Sequence, residues 1–257
     1  MNVASLVLAL VDFVAVAIYA FLGWRFSQRQ VSAENRLPMI QFSLFWFGLA
    51  LVTFIGAIES AAAAYATPAL SLVVSLYYLE ILALCATLWG LIGYLVHLYS
   101  GRAYLGPLTV MYGLLYVLLV YFVTASSPDG VTVTLGAVGL RYATLVGGPI
   151  LAVLVLILIV PEFLCAFLYF TLFFRTDDPT SRYRIALVSW GLLAFFGLDV
   201  VNLAARLGGS TLAVGLGAAL GLLPVLVILA AYYPPRAVRE RYGVKGFDTV
   251  VSPQAHP

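Results

Sequence analysis

Apolar runs of about twenty residues recur along this chain, divided by short clusters of polar, charged, glycine or proline residues. A run of about 20 apolar residues crosses a bilayer as an α-helix. Seven stretches reach that length: residues 3–24, 38–60, 70–99, 107–124, 146–174, 185–207 and 210–233. The first lacks the basic flank and small-residue cleavage site of a signal peptide, so it reads as a retained helix. Pro38 suits the first turn of the second. An alanine-rich link leads from there to the third, and Ser100-Gly101-Arg102 ends the third. Between the fourth and fifth the texture changes. Ser126-Ser127-Pro128-Asp129-Gly130 is a turn signal, and Val131 to Leu135 alternates apolar and polar residues. With Gly136 and Gly139 before Leu140-Arg141-Tyr142, this predicts a small external β-hairpin. Gly208-Gly209-Ser210 turns the chain into the last segment, and Pro234-Pro235 stops it. The expected fold is an all-α seven-helix membrane bundle over residues 1–235, followed by a polar cytoplasmic tail, 236–257.

Composition agrees with the pattern. The chain is 63% hydrophobic and 9% charged, whereas a soluble domain has about 25% charged residues. A net charge of +2 carries no signal for nucleic acid, which is not expected as a partner. Cys85 and Cys165 lie inside apolar runs and read as small hydrophobes. No cluster of histidine and cysteine suggests a metal site. The cations set the orientation. Arg25, Arg29, Arg36, Arg102, Arg175, Arg182, Arg184, Arg236, Arg239, Arg241 and Lys245 fall on one side, against Arg141 and Arg206 on the other. The positive-inside rule places the N-terminus outside and the C-terminus in the cytoplasm. A prokaryotic plasma membrane is the expected location.

Residues 195–206, FFGLDVVNLAAR, carry Asp199, Asn202 and Arg206 on one helix face inside an apolar run. Ionisable groups in a membrane usually face the bundle interior and have partners. Asp12 lies roughly 13 Å, Glu80 roughly 15 Å and Asp199 roughly 12 Å from the outer ends of their helices at 1.5 Å per residue. Three carboxyls thus share a layer of the outer half, and their faces are expected to converge on a cavity for a small ligand, ion or proton. Glu59, at the outer end of the second segment, reads as a wet residue. Glu162 lies deeper, on a face with Cys165 and Tyr169, and Pro161 beside it predicts a kink by freeing the carbonyl of Ile157. Structural pairing is the competing reading, since an interhelical hydrogen bond contributes about 0.6 kcal/mol. Gly217 and Gly221 have the spacing of a close helix contact, and Pro224 predicts a second kink. Trp46, Trp89 and Trp190 read as core or lipid-facing residues.

Seven helices with the N-terminus outside resemble the microbial rhodopsins in architecture. That family holds retinal on a lysine of the last helix, and residues 210–233 contain none, so a covalent retinal is excluded and no cofactor is expected. The third segment's ending, residues 97–108, HLYSGRAYLGPL, together with the helix count and orientation, resembles the seven-helix membrane sensor domains at the N-terminus of some bacterial histidine kinases. The resemblance implies sensing. No output domain is expected beyond Pro257, so a relative of this kind would signal through a protein partner at the cytoplasmic face. The alternatives are a membrane subunit of a transport or electron-transfer complex, or a proton-coupled transporter. The absence of a sequence repeat argues against the last. Little extramembrane mass and no paired histidines argue against an enzyme, and no catalytic residues are assigned.

Overall fold

A computed structural model describes residues 3–28, 33–65, 69–100, 105–126, 133–135, 140–142, 160–208 and 220–246. Among them are the helices α1 (Val3–Ser27), α2 (Ala33–Tyr65), α3 (Leu70–Ser100), α4 (Leu105–Ser126), α5 (Val160–Thr171), α6 (Pro179–Gly208), α7 (Leu222–Tyr232) and α8 (Arg236–Tyr242). The strands β1 (Val133–Leu135) and β2 (Leu140–Tyr142) pair antiparallel, with Thr134 opposite Arg141. Among the described residues, three helices are long and apolar enough to cross a membrane, over Ser5–Ser27, Arg36–Tyr65 and Ser71–Ser100, and α4 and α7 add shorter apolar helices. The protein is a helical membrane protein.

Several boundaries differ from the sequence expectation. α2 begins five residues before Pro38 and continues through Ala61–Ala64, which the sequence suggested as a link. Alanine is the strongest helix former, so the run extends the helix. Its 33 residues span about 50 Å, against about 30 Å of hydrocarbon. The α-helix of the fifth segment stops at Thr171, and Leu172–Arg175 tightens into a 3-10 turn. α6 starts at Pro179, inside the charged stretch expected to link the segments. The tail contains α8. Residues 146–159 and 210–219 of the expected spans lie outside the described residues.

α1 packs on α2 and α7, α2 on α3, α3 on α5, α5 on α6, and α6 on α7. These pairings close a ring of six helices, and α4 packs outside it on α3. The core is aromatic and centred on the fully buried Trp46. Tyr19 and Phe26 of α1 stack on its ring at 6.1 and 6.3 Å, and Tyr232 of α7 meets it edge-on at 6.2 Å. Phe42 stacks on Tyr94 of α3 at 4.3 Å. Edge-on and offset ring pairs contribute about 0.5–1.5 kcal/mol each beyond burial. These contacts gather one end of α1, α2, α3 and α7, the end that also carries the cations. A second cluster, Ile81, Cys85, Leu88, Tyr112 and Leu119, joins α3 to α4.

Candidate functional site

Glu162 is the most enclosed of the predicted site residues among those with described side chains, at 6% exposure. Steps of three and four place Glu162, Cys165 and Tyr169 on one face of α5, and all three are buried. Cys165 lies within electrostatic reach of Glu162. Tyr112 of α4 lies within reach of Glu162, Cys165 and Cys85 of α3. Three helices thus bring an acid, a phenol and two free thiols into one buried neighbourhood. Phe163 packs on Phe196 at 6.2 Å and holds this face to α6. Pro161 stands at the start of the described part of α5, so the kink expected at Ile157 falls outside the described residues.

The outer acids are placed separately. Asp12 is half-buried on α1, between the fully buried Ser5 and Tyr19. Glu80 is half-buried on α3 and within electrostatic reach of Tyr77. Glu59 is not wet: it is 5% exposed, because α2 runs six residues past it. Asp199, Asn202 and Arg206 belong to α6, but their side chains lie outside the described set, as does Gly217. Gly221 forms the turn before α7, and Pro224 sits buried in the first turn of that helix. Close contact between α6 and α7 is made at Gly191, where a Cβ would stand 3.1 Å from the carbonyl oxygen of Pro224.

The cation-rich end is knitted by polar contacts. Asp178 accepts from the Ser181 hydroxyl at 2.6 Å and from its backbone N–H at 2.8 Å. These two bonds hold the Asp178 carboxyl below the usual carboxylate range. The Tyr99 hydroxyl donates to the Leu168 carbonyl at 2.7 Å and also meets the Thr171 hydroxyl. The Arg175 guanidinium lies 4.8 Å from the Tyr99 ring centre. After α8 the chain turns at Gly243, whose φ of 64° favours glycine. It then returns to α6. Val244 is buried, the Lys245 N–H donates to Thr180 Oγ1 at 3.2 Å, and Arg184 Nη2 donates to the Lys245 carbonyl at 2.9 Å.

An apolar cavity lies between α2, α3 and α4 and is lined by no carboxylate. Comparison with protein-family models, curated proteins and solved structures finds no match. Tyr112 and Gln41 are not among the site residues expected from the sequence. Tyr112 has no local signal, because its role depends on α4 approaching α5. Gln41 had one: it is a strongly polar residue within an apolar run, on α2, and it is fully buried.

Proposed function

We propose that this membrane protein is a seven-helix sensor, with the N-terminus outside and the C-terminus in the cytoplasm. A small ligand, ion or proton engages acids held within the bundle, and the basic end passes the change to a protein partner. The observation that carries this reading is Glu162, an acid 6% exposed on an apolar helix. An ionisable residue at such a position is a functional candidate by default. Its helix leads directly into the 3-10 turn at Leu172–Arg175 and on to the basic start of α6. Displacement of α5 would therefore reach the surface that carries Arg175, Arg182 and Arg184. In this reading the β1–β2 pair is external, and Asp12, Glu80, Asp199, Asn202 and Arg206 form an outer polar layer.

The test is hydrogen exchange across residues 172–184 and thermal stability of the purified protein as a function of pH, in wild type, Glu162→Gln, Glu80→Gln, Asp199→Asn and the double variant Glu80→Gln/Asp199→Asn. Protection that changes with pH in wild type and is fixed in Glu162→Gln supports sensing. Variants that lose stability non-additively, with no pH response in wild type, would make the acids coupled structural contacts. That result favours a membrane subunit of a larger complex.

A further inference from the structure

The cavity between α2, α3 and α4 has a volume of about 480 Å³, within the range of about 300–1,000 Å³ typical of small-molecule sites. It draws on residues 44–51 of α2, 82–89 of α3 and 109–116 of α4. α3 runs against the other two, so Leu44, Trp89 and Thr109 share the end nearer the cations. Leu51, Leu82 and Tyr116 share the other. At 1.5 Å per residue the groove is about 10 Å long. Gly48 and Ala83 line it between aromatic walls. Trp89 Nε1 donates to Thr109 Oγ1 at 3.0 Å at the end nearer the cations.

α2 continues the groove towards the membrane surface. Arg36, Ile40, Leu44, Phe47 and Leu51 follow one another at helical spacing, and every one is exposed. Arg36 lies eight residues, or about 12 Å, beyond Leu44 along this stripe.

We propose that the groove holds one acyl chain of a phospholipid from the leaflet at the cation-rich end, with the lipid phosphate against Arg36. The medium around the groove at this depth is hydrocarbon, and a single acyl chain matches its apolar lining. A cation at the end of the bundle attracts anionic headgroups.

Gly113 and Gly106 lie on the same helix, and a Cβ at either meets nothing within 4 Å. Gly113 lines the groove and Gly106 does not. The test is native mass spectrometry of the full chain in mild detergent, supplied with phosphatidylglycerol or with diacylglycerol of the same chains. Wild type and Gly106→Phe are expected to retain one phosphatidylglycerol. Gly113→Phe and Ala86→Phe, which fill the groove from two helices, are expected to retain about tenfold less. Arg36→Gln should lose the preference for phosphatidylglycerol over diacylglycerol while keeping the latter. Equal retention by wild type and both filled variants, or none by wild type, overturns the proposal. A wild-type dimer abolished by Gly113→Phe would assign the groove to a second copy of the chain instead.

Discussion

A Cβ on Gly90 would stand 2.6 Å from the backbone carbonyl oxygen of Gln41 and 2.9 Å from the backbone nitrogen of Phe45. α3 therefore rests on the backbone of α2, where no rotamer change can make room. Alanine at position 90 would gain about 1 kcal/mol of helix propensity, and overpacking costs about 1–3 kcal/mol. The clash is with backbone, so the cost should win. Gly90→Ala is expected to lower the melting temperature in detergent. Gly56→Ala meets nothing within 4 Å and should raise it or leave it unchanged. Equal shifts in the two variants would show that the helices separate freely at Gly90.

Gln41 is fully buried, and neither amide atom has a hydrogen-bond partner among the described residues. An unsatisfied buried polar group costs about 1–3 kcal/mol. Gln41→Met keeps the length and removes the polar atoms, so it should stabilise the fold by an amount in that range, read from the denaturation midpoint. A loss of stability would instead show that the amide binds something, such as an internal water.

Much of the helical pattern is legible in the chain. The third segment, expected over 70–99, is the helix Leu70–Ser100, because a long apolar run ends at a glycine and an arginine. The run Ala61–Ala64 interrupts the pattern of large apolar residues while favouring helix in the backbone. The face of Glu162, Cys165 and Tyr169 follows from spacing alone. Tyr112 does not, because its neighbours come from α3 and α5 and depend on where α4 docks. Glycine spacing has the same limit. The Gly217–Gly221 pattern marks a possible contact, but the tight approaches among the described residues are at Gly48, Gly90, Gly93 and Gly191. Only the facing helix decides which glycine matters.

Asp178 and Pro179 open α6 as cap and first helical residue, a signal present in the sequence. Asp178→Ala is expected to cost about 0.5–2 kcal/mol, and Asp178→Asn less, because asparagine also caps. The carboxyl is held below its ordinary range by the Ser181 hydroxyl and N–H. Its folded pKa is thus lower than its unfolded value of about 3.9. The contribution is present above the unfolded value and is lost as pH falls through the folded one. The side chain is almost fully exposed, so the charge-dependent share should be small. The stability gap between wild type and Asp178→Asn should narrow below about pH 4. A gap that widens on acidification would contradict the direction of the shift.

Thr180 and Arg184 hold the segment after α8 by its backbone, through the Lys245 N–H and carbonyl. α8 has seven residues, too few to persist as an isolated helix in water. Its order should therefore depend on this clasp and on buried Val244. Removing one hydrogen bond changes stability by about 0.5–1.5 kcal/mol. Thr180→Val should leave the melting temperature of the bundle nearly unchanged, because α8 lies outside the ring of helices. It should still unfold α8 locally and open its exposed arginines to cleavage. Limited trypsin digestion is expected to cut after Arg239 or Arg241 several-fold faster in Thr180→Val and Arg184→Ala than in wild type. Unchanged cleavage in both variants would mean that α8 is held elsewhere. Cleavage that rises together with a general loss of stability would mean that the clasp supports the whole bundle.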